Sequence, residues 1–243
     1  MNFRFWITKT NHWQKFGIII AVERAFIITE MKRIFLFVFA LVASFTQAQN
    51  ATKAKALLDE VYKKVTSYNN IYIDFRYSFE NAKERIKQDT RGDVTLSGQK
   101  YLLNYMGVTK IFDGKKIYTI VPENEEVTIE DTENKDDQMI KPSEMLTFYK
   151  KDFSYKWDIV QPVKGRKIQY IELKPTKPSS DIKLILLGID TTTKHIYNLI
   201  QVGKNEAKTT ITINEFKTNQ PLSGNEFIFN ESKYKKLGYY INK

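Results

Sequence analysis

From Ile71 to Glu80 the chain alternates without a break: Ile71, Ile73, Phe75, Tyr77 and Phe79 fall on one side, and Tyr72, Asp74, Arg76, Ser78 and Glu80 on the other. Only a pleated strand sends successive side chains to opposite faces, so this period of two predicts a strand with one apolar, heavily aromatic face. A lone strand cannot bury that face, and the rest of the sequence supplies neighbours. Strand-like runs recur at residues 92–96, 101–105, 108–112, 116–121 and 126–130, with turns at Ser97-Gly98, Gly107 and Asp113-Gly114 between them. They resume at 155–160, 167–174, 182–190, 195–202, 209–216 and 227–229. Short connections of this kind predict an antiparallel meander.

Two segments read as helices. In residues 51–68, Ala54, Leu57, Leu58, Val61 and Val65 recur at three- and four-residue spacing, the pattern of an amphipathic helix. Pro142, Ser143 and Glu144 mark a helix start, followed by Met145, Leu146, Phe148 and Tyr149 in about two turns over residues 143–149. The fold class expected is mainly β with a few α-helices. A sheet of about ten or eleven antiparallel strands curls toward a half-open barrel rather than staying flat, with the helices as lid or plug. An incomplete barrel of that size leaves room for a ligand.

The N-terminal region reads as a leader. Lys32 and Arg33 precede the apolar run 34–45, which is too short to span a bilayer, and Thr46-Gln47-Ala48 offers small residues before a cut at Gln49. Residues 31–48 are thus expected to be a signal peptide, residues 1–30 an over-extended start, and residues 49–243 one domain exported to the periplasm. The chain holds 38 Lys and Arg against 28 Asp and Glu, a formal charge of +10. Residues 1–48 hold six of the basic and two of the acidic residues, which leaves +6 for the rest. The lysines are scattered rather than striped, which argues against nucleic acid. With no cysteine in the sequence, disulfides, thiolate chemistry and N-terminal lipidation of the processed chain are all ruled out.

Residues for catalysis are sparse. His195 is the one histidine after residue 48, in a strand following a turn, where an ordinary surface or edge role is expected ahead of a catalytic base. No GxSxG elbow, Gly-rich phosphate loop or HExxH is present. The acidic run from Glu123 to Asp137 lacks the alternating ligands and glycine of a calcium loop and reads as solvated surface. Glu125 and Glu126, like Asp136 and Asp137, are adjacent and would point apart on a strand, so neither pair forms an acid and base. No enzyme, cofactor or metal is expected. Aromatic residues make up 14% of the chain and sit on alternating strand positions. In an exported chain under short apolar helices, that pattern favours an apolar cavity suited to lipid, with Ile73, Phe75, Tyr77, Phe79, Val94 and Leu96 on its wall.

The sequence also resembles the LolA-type periplasmic lipoprotein carriers. The resemblance rests on Asp113-Gly114-Lys115 with Tyr118, Pro122 and Val127, on Gly92-Asp93-Val94 with Tyr101-Leu102-Leu103-Asn104-Tyr105, and on Phe227-Ile228-Phe229 as a closing strand. The N-terminal helix followed by a Phe75-centred strand fits as well. The family implies a lidded half-barrel that takes the acyl chains of lipoproteins from an inner-membrane release complex to an outer-membrane acceptor, working as a monomer. By position, Leu103 and Tyr105 would line the cavity, and Met145, Leu146 and Tyr149 would lie on the lid. Proteobacterial members carry Lys-Arg-Pro where this chain has Ser97-Gly98-Gln99, so lid closure is expected to rest on apolar contact. The same fold also suits a periplasmic lipid or lipoprotein sensor or adaptor, and a filled, purely structural envelope protein is a third reading.

Overall fold

The computed structural model describes residues 49–131 and 146–243. The chain divides into two units, Met1–Asn50 and Ala51–Lys243; almost all of the first lies outside the described residues, and the second carries every described strand. Helix α1, described over residues 49–66, leads into β1 (Ile71–Asn81), β2 (Ile86–Ser97), β3 (Lys100–Tyr105), β4 (Val108–Phe112), β5 (Lys116–Val121) and β6 (Glu126–Asp131). After residue 145 come β7 (Phe153–Val163), β8 (Arg166–Pro175), β9 (Ile182–Asp190), β10 (Ile196–Gly203) and β11 (Lys208–Thr218). A short helix α2 (Glu231–Lys236) and β12 (Tyr240–Asn242) end the chain.

These strands form one twelve-stranded sheet in the order β12-β6-β5-β4-β3-β2-β1-β11-β10-β9-β8-β7. It is open, with β12 and β7 at its edges. Eleven strands pair antiparallel, as the short turns require; β12 adds itself parallel to β6. The joint between the two meanders is β1 against β11, where Ile73 faces Phe216 and Tyr77 faces Ile211. Asn70 fastens this joint: its amide donates to the Gln220 carbonyl at 2.9 Å, and its Oδ1 accepts from the Gln220 amide at 2.9 Å. These bonds satisfy a buried polar side chain that would otherwise destabilise the core.

The main core lies between α1 and one face of the sheet. Ala54, Leu57, Leu58, Val61 and Val65, the stripe expected from spacing, pack with Ile73, Val94, Leu96, Tyr101 and Phe112 from one meander and Ile171, Leu173, Ile185, Leu187 and Ile189 from the other. Strands on both sides of β1 therefore meet the same helix, so the sheet wraps around it. Each fully buried Leu or Ile contributes roughly 1.5–3 kcal/mol.

The strands β3–β6 carry apolar residues on both faces, and the second face has its own cover. Ile111, Ile120 and Val127 pack with Phe227, and Leu102, Tyr118, Ile129, Phe229, Tyr234 and Ile241 close around them. Phe229 stacks on Tyr118 at 4.6 Å and on Tyr234 at 5.3 Å between ring centroids. The segment 227–229, expected as a closing strand, is instead a turn and extended stretch that inserts Phe227 and Phe229 into this cluster. It leads to α2, where the Asn230 side chain accepts from the Lys233 amide at 3.0 Å, and the strand at this edge is β12. Asp113, in the turn before β5, accepts from the Lys115 and Lys116 amides at 2.8 and 2.9 Å and from the Tyr118 hydroxyl at 2.9 Å. Burial opposes its charge, but these hydrogen bonds prevail and hold its carboxyl below the usual range.

Of the helix expected at 143–149, residues 143–145 lie outside the described residues. Leu146 and Thr147 form a turn, and Phe148–Lys150 a single 3-10 turn, in place of the two helical turns expected. Tyr149 points into the core there, donating its hydroxyl proton to the Leu58 carbonyl at 3.2 Å.

Candidate functional site

On the same face of the sheet as α1, β1–β3 and β10–β11 enclose a cavity of about 400 Å³. Its wall is Ile73, Phe75 and Tyr77 from β1, Val94 and Leu96 from β2, Leu103 and Tyr105 from β3, Ile196 and Leu199 from β10, and Ile211 and Ile213 from β11, with Leu146 beside them. The only polar side-chain atoms in that set are two tyrosine hydroxyls. Burial, and next the neighbouring Tyr77, push the Tyr105 phenol up to about 12, so the cavity carries no charge at neutral pH.

Cross-strand register explains why these side chains meet. Ile73 lies opposite Val94, and Val94 opposite Leu103. One step along, Phe75 faces Gly92, and Gly92 faces Tyr105. The glycine leaves a gap that the flanking rings share, at 6.1 Å between the centroids of Phe75 and Tyr105. A Cβ on Gly92 would come within 2.6 Å of the Phe75 ring and 2.7 Å of the Asn104 carbonyl oxygen. Behind the cavity, polar side chains on the other face pair with one another: Asn104 donates to Asp93 at 3.0 Å, Asn214 to Asp74 at 2.7 Å, and Arg76 pairs with Asp89.

Eight of the eleven residues singled out from the sequence line this space: Ile73, Phe75, Tyr77, Val94, Leu96, Leu103, Tyr105 and Leu146. Two do not. Phe79 shares the face of Tyr77 but lies one pair further along β1, where its β11 partner is Thr209 and the apolar row has ended. Tyr149 is 1% exposed, sealed in the core beneath α1. Met145 lies outside the described residues. Sequence reasoning missed Ile196, Leu199, Ile211 and Ile213. Ile211 and Ile213 do alternate with Thr210 and Thr212, but nothing local says that β11 pairs with β1.

His195 immediately precedes β10. It is half-buried at the end of α1, its ring stacked on Phe216 at 4.1 Å between centroids and its Nε2 hydrogen-bonded to the Tyr68 hydroxyl at 2.8 Å. Burial first, then Lys64, pull its pKa below the ordinary 6.5, with Asp190 opposing. A histidine that binds its proton less readily folded than unfolded adds stability at pH above about 6.5, and that contribution is lost as pH falls through the folded pKa. Thermal melts are expected to show a drop in melting temperature below about pH 6.5 that is smaller in His195→Phe, which keeps the ring stack. Equal pH slopes for the two proteins would remove this role from His195.

The sheet is thus an open half-barrel with a helix on its inner face and a neutral apolar pocket beside it. Residues 66–230 match the family described as "Outer membrane lipoprotein carrier protein LolA". The chain belongs to this family. No curated protein sequence matches it significantly. Among solved structures, it is similar to an uncharacterized conserved protein from Thermus thermophilus, at 8% identity and a TM-score of 0.48, over 74% of this chain and 95% of that one. LprF from Mycobacterium bovis matches at 12% identity and a TM-score of 0.46, over 72% and 96%. A LolA superfamily protein from Nitrosomonas europaea matches at 9% identity and a TM-score of 0.38, over 72% and 97%. Among the described residues no helix is long and apolar enough to cross a membrane, and no group of three or more His, Cys, Asp or Glu could hold a metal ion.

Proposed function

We propose that this protein is exported, processed before Gln49, and carries the acyl chains of lipoproteins across the periplasm from the inner to the outer membrane. The observation behind this reading is the pocket's chemistry: a wall of aliphatic and aromatic side chains with no ionised group. Each methylene kept from water is worth about 0.8 kcal/mol, so a single acyl chain faces a barrier on the order of 10 kcal/mol against crossing water unaided. A neutral cavity offsets that cost. With few directional contacts it also releases the cargo when a better apolar environment is offered.

The volume of about 400 Å³ falls in the lower part of the roughly 300–1,000 Å³ seen for small-molecule pockets. It suits one acyl chain better than several. On this reading the loading partner is an inner-membrane release complex and the destination an outer-membrane acceptor, with the carrier a monomer between them. Native mass spectrometry of protein extracted gently from the periplasm tests the idea. A bound species carrying an acyl chain is expected, together with a chain that begins at Gln49. Recovery of the bare polypeptide mass alone would count against a cargo in this cavity.

A further inference from the structure

The edge hairpin β7–β8 presents a surface that the cavity does not explain. Between Trp157 and Val160 the β7 register shifts: Trp157 faces Ile171 and Val160 faces Gln169, so Asp158 and Ile159 lie opposite Tyr170 alone. This bulge is built from inside. The Gln169 side chain, 1% exposed, donates to the carbonyls of Asp158 at 2.7 Å, Tyr170 at 2.8 Å and Ile159 at 3.3 Å. A regular strand sends neighbouring side chains to opposite faces. Here Ile159 and Val160 are both exposed, at 55% and 43%.

The turn after β7 is tight and basic. Lys164 and Gly165 take φ values of 48° and 76°, the left-handed pair of a two-residue hairpin. Lys164, Arg166 and Lys167 are exposed, and none forms an ion pair among the described residues. No acidic residue occurs between Ile159 and Ile171. Gly165 and Arg166 also border an open cleft of about 520 Å³ lined further by Asp190, Glu215, Ile196 and Ile213, and the two isoleucines also line the apolar cavity.

We propose that this hairpin docks the protein on an anionic lipid surface, with Ile159 and Val160 entering the interfacial layer and Lys164, Arg166 and Lys167 meeting lipid phosphates. Docked this way, the cleft beside the cavity faces the bilayer. The charge pattern favours lipid over a protein strand added to the β7 edge. Pro162 offers no N–H there, and the bulge interrupts the ladder such a strand would need. Docking of this kind does not depend on what fills the cavity.

Sedimentation with vesicles of phosphatidylethanolamine and phosphatidylglycerol tests it, using residues 49–243, which include the unit that holds both cores. Binding is expected to weaken with salt and to be absent on phosphatidylcholine vesicles. The variant K164Q/R166Q/K167Q should bind at least about tenfold more weakly, because each cation near such a surface adds to the attraction. I159S/V160S should also weaken binding, while K53Q/K63Q/K183Q, with the same loss of charge elsewhere, should not. Three results would overturn the proposal: no binding by the unmodified protein, equal weakening in both charge variants, or binding that appears only on vesicles made with native membrane proteins. The last would assign the hairpin to a protein partner.

Discussion

Leu103→Glu is expected to yield a folded protein that no longer retains an acyl chain. Leu103 stands on β3 in the row Ile73, Val94, Leu103 that runs across the cavity wall. Its partner on the other side is Lys110 of β4, directly opposite in register. That lysine gives a carboxylate at position 103 an immediate counter-charge, so the fold should tolerate the change. The cavity should not tolerate it. Hydrocarbon would have to displace the water around an ion pair, and stripping an ion of its solvent costs several kcal/mol even after relaxation. At about 1.4 kcal/mol per tenfold, affinity for an acylated peptide should fall by at least about a hundredfold. Displacement of a fluorescent fatty acid would read the affinity, and a thermal melt would read the fold. Unchanged affinity in a variant that melts normally would remove β3 from the binding wall.

The parts of this fold that were legible in the sequence are those that local periodicity can report. The stripe of Ala54, Leu57, Leu58, Val61 and Val65 is a helical pattern, and it packs as one. The alternation at Ile73, Phe75 and Tyr77, and the hairpin residues Val94, Leu96, Leu103 and Tyr105, place one wall of the cavity because short turns fix which strands adjoin. The opposite wall depends on the pairing of β1 with β11, partners some 140 residues apart in sequence, as in Ile71 with Thr218. No turn length reports such a pairing. The C-terminal cover was also hidden, since α2 has six residues and β12 three, both too short for a period to show. Phe227 and Phe229 alternate as strand residues do, yet that spacing also serves two side chains inserted into one cluster, and packing against Ile111, Ile120 and Tyr118 decided the outcome. Gly92 carries a different kind of signal. Its role lies in what a side chain there would strike, which only the assembled rings of Phe75 and Tyr105 define.

Leu58→Ala is expected to produce the opposite pattern to Leu103→Glu, with a large loss of stability and little change in binding. Leu58 is 2% exposed on the buried side of α1, inside the cluster that joins the helix to both meanders. Its carbonyl also accepts from Tyr149, whose own carbonyl accepts from the Tyr155 hydroxyl at 2.8 Å, so the helix, the turn after residue 145 and β7 meet at this point. Burial keeps the Tyr149 phenol well above its ordinary pKa and hence a donor throughout the working range. Truncating a buried leucine costs about 2–5 kcal/mol, depending on how far the surroundings collapse. For a chain of this size that is a fall in melting temperature of about 4–20 °C. Leu58 is absent from the cavity wall, so acyl binding measured well below the new melting temperature should stay within about threefold of the unmodified protein, a change of under about 1 kcal/mol. Asp59, next in sequence, serves as the control. Its 2.6 Å contact with Lys55 is between side chains 40% and 64% exposed, and solvent screening leaves such a pair little stabilising effect, so Asp59→Ala should barely move the melt. If Leu58→Ala lost binding in proportion to stability, then the seat of α1 and the cavity would be one cooperative structure, and the separation between a wall that holds cargo and a helix that supports it would fail.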